Sequence, residues 1–140
     1  MQTNSTQPKP ITEFRNVPYL DSAHQCGFQQ PFFDDEMDFI MVPEDFLGGI
    51  KKPLIINATG DSMAPIIENG DQLIIDLAAK PQHNDKISCR LNGQFLIKIL
   101  FINNFSTYLK CINSEYKDHK IAPDDDFEIL GRIERVIKRI

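Results

Sequence analysis

The chain has 140 residues, 41% of them hydrophobic, with a formal net charge of −5. That length suits one domain with one real core, and the acidic balance argues against direct nucleic-acid binding, which needs surplus Lys and Arg to displace counterions. No apolar run approaches the roughly 18–20 residues that span a bilayer, and the opening MQTNSTQPKPITEF has no apolar core of a secretory signal, so the expected location is cytoplasmic, without a membrane partner.

In chain order, residues 1–31 come first and are rich in Gln, Thr, Asn, Ser and Pro. They show neither helical nor strand periodicity and read as a flexible N-terminal arm. Residues 32–140 read as the folded domain. From Asp38 onward short runs rich in Ile, Leu and Phe follow one another: DFIMV, PLIINAT, QLIIDLA, KISCRL, QFLIKILFI, STYLKCIN and FEILGRI. Turn signals separate them, namely Gly48-Gly49, Asn69-Gly70-Asp71, Pro81 to Asp85, Asn103-Asn104, and Pro123 with its three aspartates. Asn92-Gly93 between two apolar runs predicts a type I′ hairpin. Helical candidates are short: residues 43–47, and a turn at 62–67 interrupted by Pro65. The predicted class is mostly β. The last segment carries Arg132, Arg135, Lys138 and Arg139, which read first as a solvated strand face and second as a contact for an acidic partner.

Several chemistries are excluded or unsupported. Three cysteines, Cys26, Cys89 and Cys111, are an odd number without CxxC spacing, which argues against a disulfide framework or structural zinc. Free thiols fit a reducing compartment. There is no phosphate loop, no GxGxxG and no HExxH. His24, His83 and His119 stand alone in polar or turn-like settings, and nothing local recruits them to a Ser-His-Asp triad.

Two features remain. Gly60-Asp61-Ser62-Met63 directly follows the run PLIINAT. A serine at a tight corner after a strand can present its hydroxyl, and corner amides can hold an oxyanion; the same tripeptide is also ordinary turn chemistry. The second is Lys98, with three apolar residues on each side in FLIKILF. On a strand, Leu96 and Leu100 share its face while Ile97 and Ile99 take the other, so the strand is expected to be buried on both sides. A desolvated lysine can lose its proton and act as a general base; alternatively it snorkels to the surface or pairs with a carboxylate. Together, a serine and a desolvated lysine are what Ser–Lys catalysis requires.

The pattern Gly60-Asp61-Ser62-Met63, then Asn69-Gly70-Asp71 leading into QLIID, then Lys98 some 36 positions after the serine, resembles the catalytic domain of the LexA/UmuD family of self-cleaving Ser–Lys peptidases. The resemblance runs from about residue 18 to the end. His24-Gln25-Cys26-Gly27-Phe28 resembles the Cys-Gly self-cleavage site of the UmuD branch. Only 25 residues precede Cys26, too few for a repressor's DNA-binding domain, which points to that branch as well.

The resemblance implies a fold of twisted antiparallel sheets, Ser62 as nucleophile, Lys98 as general base, Cys26 and Gly27 flanking the scissile bond, and the backbone amides of Asp61 and Ser62 as oxyanion donors. Asp71 and Asp76 sit in family-like positions and read as structural. Many relatives carry a second basic residue where this chain has Ile99. No cofactor or metal is implied. The implied partners are a second copy in a homodimer, a RecA filament on single-stranded DNA as trigger, and a UmuC-type translesion polymerase in the SOS response. The alternatives are a repressor-like regulator without a DNA-binding domain, a non-enzymatic β-rich interaction module, and a signal-peptidase relative, which would be expected to carry a membrane anchor.

Overall fold

The computed structural model describes residues 13–21 and 38–138. Nine strands form one sheet: β1 (Phe14–Leu20), β2 (Asp38–Pro43), β3 (Pro53–Asn57), β4 (Gln72–Asp76), β5 (Lys86–Leu91), β6 (Gln94–Asn103), β7 (Ser106–Lys110), β8 (His119–Lys120) and β9 (Phe127–Ile137). The strand order is β2-β1-β3-β4-β9-β5-β6-β7-β8. The mostly-β expectation holds, in a single mixed sheet: β1 and β3 are parallel, and the other pairings are antiparallel. The helical candidate at 43–47 is one turn, α1 (Glu44–Leu47). Among the described residues no helix is long and apolar enough to cross a membrane.

The first strand corrects the reading of residues 1–31 as an arm throughout. FRNVPYL is a strand whose Val17 and Leu20 are fully or nearly fully buried. The sheet-forming region therefore begins before residue 32. The rest of that segment, with His24, Cys26 and Gly27, lies outside the described residues.

The continuous apolar runs PLIIN and QLIID are explained by burial on both faces. Leu54 and Ile56 of β3, with Leu73 and Ile75 of β4, enter one core that also takes Leu20, Met63, Ile67, Ile97 and Leu130. Ile55 and Ile74 point the other way, into a second core with Val17, Val42, Leu47 and Ile50. A third core gathers Ile87, Cys89, Leu91, Leu100 and Leu109. Each fully buried Ile or Leu contributes about 1.5–3 kcal/mol relative to exposure.

Turn chemistry sets the register. Asn92 and Gly93 have φ of 50° and 84°, the two positive values a type I′ turn requires, and Leu91 pairs with Gln94 across them. The long strand β9 joins the halves of the sheet. Its later part pairs with β4 (Asp76 opposite Arg132) and its earlier part with β5 (Leu91 opposite Phe127). Gly131 lies at the handover, where a Cβ would come within 2.9 Å of the Asp76 carbonyl oxygen. Only glycine lets the two backbones approach that closely.

Candidate active site

β3 delivers the chain into the turn bearing Ser62. Ala58 bonds both ways with the returning segment: its amide donates to Asp71 O at 2.8 Å, and its carbonyl accepts from Gly70 N at 2.9 Å. Gly60 takes a φ of 78°, open to glycine at little cost, and donates its amide to Asn69 Oδ1 at 3.0 Å. Met63 and Ile67 are each 2% exposed and pin the far side of the turn into the first core. Ser62 is left half-buried at the corner.

At Asp61 and Ser62 the carbonyls are occupied and, among the described residues, the amides are not. Asp61 O accepts from Ala64 N (3.0 Å) and Asn113 Nδ2 (3.1 Å); Ser62 O accepts from Asn113 N (2.9 Å); Met63 O accepts from Ile67 N (3.0 Å). Among the described residues the amides of Asp61 and Ser62 have no acceptor. Two adjacent open amides beside satisfied carbonyls favour negative charge.

Lys98 lies in the middle of β6, opposite Ile87. The expected alternation holds: Leu96 and Leu100 pack on the third core, while Ile97 and Ile99 pack on the first. Full enclosure does not hold. Lys98 is half-buried, because its ammonium reaches the rim just past β7. There Nζ donates to Cys111 Sγ at 3.1 Å and lies 5.9 Å from the centroid of the Tyr116 ring.

The turn and the lysine meet through one short segment, residues 111–116. Cys111 takes the Lys98 hydrogen bond, Asn113 clamps the carbonyls of Asp61 and Ser62, and the Tyr116 hydroxyl bonds to Asp61 Oδ1. That bond, and the negative charge of Asp61, push the Tyr116 phenol above its ordinary value. Cys111, Asn113 and Tyr116 do not stand out in the sequence. Their partners lie 13, 52 and 55 positions away, and no local pattern marks such contacts.

The other candidates serve the frame. Asp76 is 5% exposed, and its carboxylate accepts from the amides of Lys51 (3.2 Å), Lys52 (3.1 Å) and Ala78 (2.9 Å). Burial alone would raise its pKa, but these amides and Arg132 outweigh burial and hold it below the usual carboxylate value. Asp71 behaves alike: burial raises it, while Lys138 and the Glu68 amide more than reverse that. Burial pushes the Cys89 thiol up to about 12, which makes it unreactive.

His83 accepts the Ile102 amide at 2.9 Å, and His119 pairs with Asp125 at 3.0 Å, so both histidines brace turns. Within the basic cluster, Arg132 pairs with Glu134 at 2.6 Å, Arg135 donates to Phe46 O at 3.1 Å, and Lys138 pairs with Asp71 at 2.5 Å. These three cations bond to groups of the same chain at its surface; Arg139 lies outside the described residues.

Beside the serine turn is a cavity of about 370 Å³, lined by Tyr19, Asn57, Thr59, Asn69 and Lys138 among others. β1 borders it through Tyr19, whose hydroxyl accepts from Asn57 Nδ2 at 2.5 Å.

Comparison with known proteins places this geometry in context. A family model described as Peptidase S24-like matches residues 18–134. "Protein ImpA" of Salmonella typhimurium is 30% identical over 86 residues, which is 61% of this chain and 59% of that protein. The ImpA proteins of Shigella flexneri and Escherichia coli match to the same extent. The similarity thus spans less than two thirds of the length of these relatives.

Proposed function

This chain belongs to the Peptidase S24-like family, and from that premise we propose that it is a self-cleaving serine peptidase of the LexA/UmuD kind, in which Ser62 and Lys98 cut the chain's own Cys26–Gly27 bond. The observation that carries the reading is the single segment, residues 111–116, that holds the Ser62 corner at one end and the Lys98 ammonium at the other. Serine needs a base to become nucleophilic, and this arrangement offers a lysine without recruiting a histidine.

In the proposed reaction Lys98 turns from Cys111 to Ser62 and, as the neutral amine, takes the hydroxyl proton. Ser62 Oγ attacks the Cys26 carbonyl carbon. The amides of Asp61 and Ser62 receive the oxyanion. The Cys26–Gly27 bond breaks as protonated Lys98 gives its proton to the Gly27 nitrogen. Water then hydrolyses the Cys26 ester, leaving residues 1–26 and 27–140. Gly27 has no Cβ to hinder the approach of the backbone.

The parallel pairing of β1 with β3 supports cutting within one chain. Leu20 stands beside Ile56, and both strands leave the sheet at the same end. Six residues lead from Leu20 to Cys26, and six lead from Ile56 to Ser62. Six residues reach at most about 20 Å, and so short a tether gives the scissile bond a high effective concentration at the serine.

By kinship with the LexA/UmuD proteins, the trigger on this reading is a RecA filament on single-stranded DNA. The processed chain then acts as a homodimer with a UmuC-type polymerase in SOS mutagenesis. The test is mass spectrometry of the purified protein, first held at pH about 10, where an ordinary lysine is partly neutral, and then incubated with RecA, nucleotide and single-stranded DNA. The expected products begin at Met1 and Gly27, and Ser62→Ala or Lys98→Ala removes both. A fragment beginning at Gly27 from the Lys98→Ala protein would show that the base is another group.

A further inference from the structure

β1 is held in the fold almost wholly by non-covalent contacts. Val17 enters the second core and Leu20 the first, so the strand is gripped from both faces. Tyr19 accepts from Asn57, and Arg15 makes a two-bond contact with Glu44 at 2.6 and 3.0 Å. The Glu44 amide also donates to Glu13 O at 2.8 Å. Six positions pair with β2 and two with β3. β2 ends the strand order, and among the described residues β1 is its one sheet neighbour. The covalent link from β1 to the remainder is the stretch from Asp21 to Gly-containing residues 22–37, and the Cys26–Gly27 bond lies within it.

We propose that the slot between β2 and β3 is a strand-acceptor site, and that its ligand, once the link is severed, is the 13–21 segment of this same chain bound in trans. Cutting then turns a built-in strand into an exchangeable peptide. The segment does not leave at once, because two buried apolar side chains and a paired ladder hold it. It does exchange, because a seven-residue strand paired at only two positions on the β3 side is a short-lived partner. What the slot recognises is an extended peptide with a cation at the position of Arg15, an aliphatic side chain at Val17, a phenol at Tyr19 and a second aliphatic group at Leu20, read by strand addition. A second copy of the chain carries that ligand. The biological occasion for exchange rests on the self-cutting proposed above; the site itself does not.

The test keeps those two ideas apart. A recognition sequence for an unrelated endopeptidase is inserted between residues 27 and 37 of the Ser62→Ala chain, and the link is cut with that enzyme. Gel filtration in native buffer follows the leader fragment, and fluorescence anisotropy follows a labelled peptide of residues 13–21. The expected result is co-elution of leader and remainder, with saturable entry of the labelled peptide as it displaces the leader. Peptides with Val17→Asp or Leu20→Asp should bind roughly tenfold more weakly or worse. Using peptide variants leaves the folding of the protein untouched. Immediate separation of the leader, retention without any peptide exchange, or equal binding of the wild-type and Asp-substituted peptides would each overturn the proposal. If strand exchange occurs but the Ser62 protein never cuts itself, the acceptor site stands and the peptidase reading falls.

Discussion

Lys98 Nζ donates its hydrogen bond to Cys111 Sγ, 3.1 Å away, and Cys111 is two residues from the Asn113 that clamps Ser62. The structure thus holds the lysine on a sulfur at the edge of the proposed site, with the serine corner tied to the same segment.

One expected outcome concerns that contact. Cys111→Ala removes the acceptor and leaves Lys98 free to turn to Ser62. One hydrogen bond to a charged group is worth about 1.5–3 kcal/mol at most, and less to a weak sulfur acceptor. Self-cutting at fixed pH should therefore speed up by roughly three- to tenfold, measured as the half-time for appearance of the 27–140 fragment. A slowing instead would assign Cys111 the role of aiming the lysine.

A second outcome concerns the clamp on the serine corner. Asn113→Ala deletes the bond to Asp61 O and leaves the backbone bond to Ser62 O in place. Tyr116→Phe deletes the hydroxyl that bonds Asp61. Each should slow cutting about tenfold while lowering stability by only about 1 kcal/mol. The check is the cutting half-time beside a urea melt of the same protein. Equal losses in both measurements would reduce the segment to a scaffold.

Acid stability follows from Asp71 and Asp76. Both carboxyls are held below their ordinary value in the folded chain. Their contribution is therefore complete above the usual carboxylate pKa of about 3.9 and disappears as pH falls through the lower, folded value. Urea midpoints should be flat from neutral pH down to about 5 and then fall. Asp76→Asn should flatten that fall. At neutral pH it should cost about 1–3 kcal/mol, because an amide places a donor against one of the two backbone amides at Lys51 and Lys52.

Gly131→Ala tests the handover in β9. A Cβ there would sit 2.9 Å from Asp76 O, and the backbones of β4 and β9 must part to admit it. A loss of about 1–3 kcal/mol is expected, read from the urea midpoint, with a rise in hydrogen exchange confined to β4, β5 and β9.

How much of this was legible beforehand follows from where each signal lies. Strands from Asp38 onward announce themselves because both faces of β3 and β4 are buried, which forces unbroken Ile and Leu runs between turn residues. Asn92-Gly93 announces its hairpin because few other dipeptides accept two positive φ values. β1 was invisible for the converse reason. Its buried Val17 and Leu20 are three apart on opposite faces, and Arg15, Asn16 and Pro18 interrupt any alternation. Ser62 and Lys98 were noticeable singly, each by an unusual local setting. The segment that joins them was not, since Asn113 and Tyr116 become relevant only when folding brings them to Asp61. The basic run at 132–138 reads as a solvated face, and Arg132 and Lys138 do remain 35% and 44% exposed; what the sequence does not mark is that Arg132, Arg135 and Lys138 also bond Glu134, Phe46 O and Asp71.

Because β9 lies between β4 and β5 in the sheet, the half carrying the Ser62 corner and the half carrying Lys98 share no strand ladder in a nascent chain until β9, later in sequence than both, has left the ribosome. On the proposed reading, synthesis order then works as a safety catch: a growing polypeptide holds both proposed catalytic side chains well before it holds the strand that completes the sheet between their halves.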